Sequence, residues 1–225
     1  VRLIRYTPDP ERVVAMAAKS CHTVDIPEMD ELSDKEIKAI IRITRDAGHH
    51  SVMEHASFTF AIEDVSRALT HQLVRHRLAS YSQQSQRYVN LKPLEYVIPP
   101  TISGKKEAAE KYREVMDYLE KSYQELVDMG IPLEDARYIL PNATHTNIVV
   151  TMNARELWNF FTLRTCMKAQ WEIRTMAYIM LKQVRDIAPT LFENAGPACL
   201  RGPCPEGERE CAERVRKGLL KGGRK

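Results

Sequence analysis

From Val65 to Leu94 the chain carries five lysines or arginines and no aspartate or glutamate. Elsewhere it mixes both signs. Concentrated positive charge of this kind repels itself unless an anion neutralises it, so the segment constrains the fold to one that presents it to an anionic partner. Its centre, Arg75-His76-Arg77-Leu78-Ala79-Ser80-Tyr81-Ser82-Gln83-Gln84-Ser85-Gln86-Arg87, adds hydroxyl and amide donors to the arginines. Guanidinium groups match phosphate with a bidentate fork, and the remaining donors suit a polar heterocycle.

The local pattern sharpens this. Residues 66–74 read as a helix with apolar positions at 65, 69 and 73. At about 100° per residue, Arg75 and Arg77 would point roughly 200° apart if that helix continued. Either the helix ends there, or the two arginines serve two ligands. After Ala79 the alternation Tyr81, Gln83, Ser85, Arg87 suits extended chain, which would put Gln83, Ser85 and Arg87 in one polar row. A solvated basic face is the plainer alternative, although such faces normally interleave carboxylates.

Further along, Leu3–Tyr6 is a short strand candidate and Glu11–Lys19 a helix. Ser33 and Glu36 form a capping box at the head of a helix that runs to about Ala47. Gly48-His49-His50-Ser51-Val52-Met53-Glu54-His55 follows. Gly48 ends the preceding helix, and Ser51 with Glu54 predicts a second capping box. The spacing is not His-Glu-x-x-His, and no metal is assigned. Ala56–Ile62 alternates as a strand, Tyr96–Ile98 as a shorter one, and Thr146–Met152 as another. Lys105–Met129 predicts a long helix with a stripe of Tyr112, Val115, Leu119, Tyr123 and Leu126. Arg137 sits among apolar residues, as a snorkelling stem or an anion ligand. Asn153 caps a further helix with Glu156 at its third position. On that helix Arg155 and Asn159 share a face, while Arg164 lies about 180° round from Arg155. Lys168–Ile187 is the strongest helix, and its methionines read as core. There is no G-x-G-x-x-G, hence no dinucleotide site of that type.

No apolar run approaches the length of a membrane span, and the start is too short and charged for a signal peptide, so a cytoplasmic protein is expected. The net charge of +3 is misleading, because residues 201–225 alone carry a net +4. That weakens a whole-protein argument for nucleic-acid binding. Five cysteines are an odd number for a disulfide framework, and Cys199, Cys204 and Cys211 match no common zinc spacing.

Arg75-His76-Arg77 followed at fixed spacing by Ser85-Gln86-Arg87 resembles the signature of flavin-dependent thymidylate synthases. The blocks around Gly48–His55, Ala136–Pro141, Asn153–Arg155, Asn159, Leu163-Arg164 and Ala169–Arg174 resemble further parts of that family in the same order. The resemblance implies an α+β fold, with a central, mostly antiparallel sheet flanked by long helices and sites built at subunit interfaces of a homotetramer. It covers residues 1–195, leaving 196–225 as a basic Cys/Pro/Gly-containing tail. It implies reductive methylation of dUMP to dTMP, with methylenetetrahydrofolate as one-carbon donor and NADPH-reduced FAD as hydride source. By the same resemblance dUMP would be held by Gln72, Leu73, Val74, Arg75, Gln83, Gln84, Ser85, Gln86, Arg87 and Arg137. Arg164 would contact the uracil as the catalytic group. FAD would be held by His49, Ser51, Glu54, Arg75, His76, Arg77, Gln83, Asn153, Ala154, Arg155 and Asn159. No cysteine stands at the signature, and Ser85 has no adjacent base, so it reads as a ligand rather than a nucleophile. Some relatives carry Glu at the position of Gln83. A nucleic-acid-binding protein without chemistry is the rival reading.

Overall fold

Alternating apolar residues and well-capped amphipathic segments produce a mixed α+β chain. The computed structural model describes residues 1–218. In order, its elements are β1 (Arg2–Tyr6), α1 (Pro10–Ser20), α2 (Asp34–Asp46), β2 (Ser57–Ser66), α3 (Arg67–Leu73), β3 (Ala79–Gln83), α4 (Pro100–Ser103), α5 (Lys106–Asp128), α6 (Leu133–Ala136), β4 (His145–Asn153), α7 (Ala154–Arg164), α8 (Trp171–Ile187) and α9 (Arg209–Arg216). Short 3-10 turns lie at Met29–Glu31, His50–His55, Arg137–Ile139 and Ala198–Leu200. The strands make a four-stranded antiparallel sheet in the order β1-β2-β4-β3. The long helices and the sheet agree with the expected α+β class.

The chain divides into two compact units. Unit 1 comprises residues 1–61, 76–80 and those from 150 onward. In it α1 packs on α2, and α8 packs on α7 and β1. Ser33 closes its capping box with Glu36, as its spacing predicts. Phe58, Phe60, Phe160, Phe161 and Phe192 are all fully buried. Phe192 meets Phe58 edge-on at 5.5 Å and Phe161 at 6.1 Å, the tilted geometry aromatic quadrupoles prefer. On α8, Ile173, Met176, Ala177, Met180 and Val184 form the buried face, so the methionines are core.

Unit 2 comprises residues 62–75 and 81–149. Here α5 packs on α4 and α6. The seam of α5 differs from the expected stripe. Ala109, Met116 and Tyr123 are its buried residues, and Val115 is exposed. These positions recur every seventh residue, two helical turns apart, and Met116 takes the place given to Val115 because that face meets the neighbouring helices. The Tyr96–Ile98 strand reduces to a single bridge between Tyr96 and Thr144. Pro93 on one side and Pro99-Pro100 on the other leave little ladder to extend.

Two further expectations change. Strand β3 stops at Gln83, and Ser85–Arg87 form a turn in which the Ser85 hydroxyl accepts the Arg87 N–H at 3.2 Å. Gln83, Ser85 and Arg87 are therefore not one row of a strand. The second capping box does not form either. Residues 50–55 wind as a 3-10 turn with no side-chain cap, because Glu54 is drawn to Arg155 instead.

The segment read as a tail contains structure up to Gly218. Helix α9 packs against the Ala198–Leu200 turn, and Cys199, Ala212 and Val215 form a small buried cluster with Met167, Cys204 and Cys211 against it. The end of that segment, residues 219–225, lies outside the described residues. Among the described residues no helix is long and apolar enough to cross a membrane.

Replacing Phe58, which is fully buried, by Ala should lower unfolding free energy by about 3–5 kcal/mol. Replacing Val24, which is fully exposed, by Ala should change it by less than about 0.5 kcal/mol. Urea denaturation of both variants checks the contrast.

Candidate functional site

The carboxyl end of β4 hands its chain directly to α7, and that junction places most of the chemistry of unit 1. The Asn153 carboxamide oxygen accepts the Glu156 N–H at 2.9 Å, capping α7 as its sequence predicts. Ala154 is fully buried, and its N–H donates to the Ala56 carbonyl at 2.8 Å. These bonds fix where the next turn of α7 points. Arg155 and Asn159, one turn apart, line a cavity of about 1000 Å³. Arg155 is ion-paired with Glu54. His49 and Ser51 are exposed and do not line this cavity, although Gly48 and His50 do.

Four charged or aromatic residues in the cavity lining were not read as site residues from the sequence. Arg45 is only 7% exposed and donates to Asp46 at 2.8 Å and to the Thr190 carbonyl at 2.9 Å. Its spacing from Ile37 and Ile41, four residues each, was the available signal, since it places a cation on the buried face of α2. Trp158 forms a wall of the cavity, and its indole N–H donates to the Leu191 carbonyl at 3.0 Å. The Arg201 guanidinium lies 4.8 Å over the Trp158 ring, a cation–π distance. Glu156 is the fourth, a carboxylate only 4% exposed.

Glu156 belongs to a buried chain of polar contacts. The His76 ring is 4% exposed and packs edge-on against Phe160 at 4.9 Å. Its Nδ1 lies 2.9 Å from Glu156 Oε1, and its Nε2 lies 3.0 Å from the Nε of Arg164. Arginine Nε–H can only donate. Nε2 of His76 is therefore the acceptor, and its proton sits on Nδ1, donated to Glu156. Burial pushes His76 below the ordinary histidine value, with the Arg164 charge acting in the same direction, against the opposing pull of Glu156. Burial also lowers Arg164 from the usual arginine range. The Asn159 amide donates to both Glu156 oxygens, at 3.3 and 3.4 Å.

The predicted nucleotide residues other than Arg164 lie in unit 2. Helix α3 ends at Leu73 with Val74 as its C-cap, so the helix does stop before the arginines. Arg75, in unit 2, and Arg77, in unit 1, are both exposed. The Tyr81 hydroxyl donates to the Leu73 carbonyl at 2.8 Å and ties that helix end to β3. Gln72 donates to the Ala68 carbonyl at 3.3 Å. Gln83 turns inward, its amide donating to the hydroxyls of Thr70 and Thr146 at 3.0 and 3.2 Å. The Gln84 N–H donates to the Asn147 carbonyl at 2.8 Å, and Gln86 is half-buried.

Arg87 and Arg137 converge on one residue. Arg87 Nε donates to the Glu134 carboxylate at 2.8 Å, and Arg137 Nε donates to the Glu134 carbonyl at 3.0 Å. Arg67, not singled out as a ligand by the sequence reading, donates through Nη2 to the Gln84 carbonyl at 2.7 Å. Burial lowers the Arg67 value, and the nearby Arg137 charge lowers it further. Two guanidinium groups in mutual repulsion, Arg67 and Arg137, favour a bound anion.

The comparisons agree with this chemistry. The family model described as thymidylate synthase complementing protein matches residues 2–190. The flavin-dependent thymidylate synthase of Geobacter sulfurreducens is 51% identical over 217 residues, covering 95% of this chain and 94% of the relative. The enzyme of the same name from Clostridium tetani is 47% identical over 231 residues, covering 95% of this chain and 93% of its own. The crystal structure of the UMP/dUMP methylase PolB from Streptomyces cacaoi, bound with 5-Br dUMP, superposes with a TM-score of 0.75 at 25% identity, over 85% of this chain and 92% of that one. With a family match across most of its length and relatives of this identity, the chain belongs to the thymidylate synthase complementing protein family, that of the flavin-dependent thymidylate synthases.

Proposed function

We propose that the protein catalyses the reductive methylation of dUMP to dTMP, with methylenetetrahydrofolate as one-carbon donor and NADPH as the source of reducing equivalents through FAD. The observation that carries this reading is the pairing of two anion-accepting sets in a chain of this family. One is the arginine-lined cavity beside α7, and the other is Arg87 and Arg137 at Glu134, with Arg67 under the charge of Arg137.

The residues present fit a flavin dinucleotide. A cavity of about 1000 Å³ is at the upper end of ordinary ligand sites. Arg45, Arg155 and Arg201 outnumber Asp46 and Glu156 in its lining, which suits a diphosphate, and Trp158 offers an aromatic wall. Arg155 and Asn159 would hold FAD there; the family resemblance adds His49, Ser51, Glu54, Arg75, His76, Arg77, Gln83, Asn153 and Ala154 as FAD contacts that are not part of this cavity's lining. Bound there, FAD would supply the redox chemistry, reduced by NADPH and serving as the hydride source.

The chain's own residues bind and polarise the nucleotide. Gln72, Leu73, Val74, Arg75, Gln83, Gln84, Ser85, Gln86, Arg87 and Arg137 hold dUMP, with arginines on its phosphate. Arg164 faces the pyrimidine and stabilises negative charge at N3, which raises electron density at C5, the carbon that takes the methyl group. A fixed cation thus replaces the thiol addition that would otherwise activate the ring. Ser85 fits the role of ligand. Its hydroxyl accepts a backbone N–H, and among the described residues no imidazole or carboxylate bonds to it as a base. Sites shared between subunits of a homotetramer, and a cytoplasmic location, complete the proposal, with residues 1–195 as the catalytic domain and 196–225 as an appended segment.

The purified protein should show flavin absorbance that bleaches with NADPH, and should form dTMP from dUMP and methylenetetrahydrofolate. A colourless preparation that FAD does not reconstitute, but that binds single-stranded nucleic acid, would favour the rival reading. Arg87→Ala should weaken dUMP roughly ten- to a hundredfold, the size of a lost charge-assisted hydrogen bond, with FAD retention little changed. Arg77→Ala should do the reverse, loosening FAD more than dUMP. Titrations of each ligand, monitored by flavin absorbance, separate the two. Cys166→Ala should keep turnover, whereas a thiol-dependent methylase would lose it.

A further inference from the structure

Glu156 and His76 stand behind Arg164 in a way the reaction can use. The carboxylate accepts Nδ1–H of the imidazole, and the imidazole Nε2 accepts Nε–H of the guanidinium. All three groups lie in unit 1, and the imidazole and carboxylate are less than a tenth exposed. The chain fixes a tautomer, because Arg164 supplies only donors and so forces the proton of His76 onto Nδ1. It also fixes the guanidinium plane at its Nε edge, and a planar group held at one edge keeps its orientation. The edge-on ring of Phe160 holds the imidazole from the side.

We propose that His76 and Glu156 are positioning residues that aim Arg164, and that the neutral state of His76 is required for that aim. This rests on Arg164 being the group that polarises the pyrimidine. The charged groups that face the imidazole are Glu156 and Arg164, both from α7, and its chain neighbours Arg75 and Arg77 are exposed. Protonation at Nε2 would set N–H against N–H across the 3.0 Å contact and place a second cation beside Arg164. The guanidinium would then turn away. Glu156 has a second consequence. It also accepts the Asn159 amide, so the same carboxylate steadies a residue of the α7 cavity and the arginine.

The sign of the pH effect follows from the ring's environment. His76 lies below the ordinary histidine value, so folding favours its neutral form. Its contribution to stability is full above the unfolded value and is lost as pH falls towards the lower folded one. Turnover should show an acid limb that tracks the folded titration, since kcat reports groups in the bound complex.

The experiment is a double-mutant cycle on the holoenzyme with His76→Phe and Arg164→Ala, with FAD content read from visible absorbance and folding from thermal melts. His76→Phe should lower kcat roughly ten- to a hundredfold, the scale of a misplaced catalytic group. The double variant should be no slower than Arg164→Ala alone, because the imidazole then has no arginine to aim. His76→Gln, whose amide can accept from Nε and donate to Glu156, should recover part of kcat and lose the acid limb. Glu156→Gln should shift that limb to lower pH, because the carboxylate holds the imidazole value up. Multiplicative losses in the cycle, or an acid limb unmoved in both His76→Gln and Glu156→Gln, would overturn the positioning role while leaving the assignment of Arg164 intact. The limb test stands even if His76→Phe does not fold. Normal turnover by Arg164→Ala would overturn that assignment and this proposal together.

Discussion

A carboxylate withdrawn from water is costly unless its charge is matched, and Glu156 is such a group. It is 4% exposed, on a helix whose buried face carries Leu157, Trp158, Phe160 and Phe161. An unpaired buried carboxylate would take up a proton or break the packing. Here it accepts from the imidazole of His76 and the amide of Asn159, and the charge of Arg164 is one ring away. The neutral imidazole spaces the opposite charges and keeps both hydrogen-bonded. Removing any member leaves a buried donor or acceptor unsatisfied, which costs more than the bond contributed. The helix, its Asn153 cap and the aromatic core therefore cannot be separated from the chemistry they position.

The basic segment follows the same logic at larger scale. Its arginines are not massed on one surface. Arg67 and Arg75 belong to unit 2 and His76 to unit 1, because the chain leaves α3 at Leu73, crosses at 76–80 and returns at Tyr81. The end of α3 is held by the Tyr81 hydroxyl on the Leu73 carbonyl, so a residue beyond the crossing fixes the point before it. In unit 2 Arg87 pairs with the Glu134 carboxylate, Arg137 donates to the Glu134 carbonyl, and the Arg137 charge acts on Arg67. The one carboxylate of Glu134 does not match three guanidinium charges, so these arginines keep a net positive charge that an anion would offset.

Most of this scaffold could be read before any coordinates, and the reasons are local. Caps at Ser33 and Asn153, the stripe of α8 and the alternation in β2 each depend on residues a few positions apart, so spacing alone specifies them. The failures share the opposite property. Val115 fits the α5 stripe by spacing, but the neighbours of α5 select Met116. Ser51 and Glu54 fit a capping box, but Arg155, about a hundred residues on, takes the carboxylate. Alternation past Gln83 suggested strand, yet the Ser85 hydroxyl captures the Arg87 N–H and turns the chain. The site divided in the same way. The arginines were visible from composition, whereas Arg45 and Glu156 are buried charges and Arg67 a half-buried one, and burial is not written in a single sequence.

Beyond residue 190, where the family match ends, the chain remains physically engaged with unit 1. Cys199, Ala212 and Val215 pack together with Met167, and burial pushes the Cys199 and Cys211 thiols up, away from the reactive thiolate form. These cysteines serve as small apolar side chains in a cluster too small to stand alone. Arg216 donates to the Cys199 carbonyl at 2.8 Å, and Lys168 pairs with Glu208 at 2.8 Å. The turn held in this way carries Arg201, which donates to Thr162 on α7 at 2.7 Å while lying over Trp158. A guanidinium lining the α7 cavity thus comes from outside the matched region, and the helix that follows it in sequence keeps it in place.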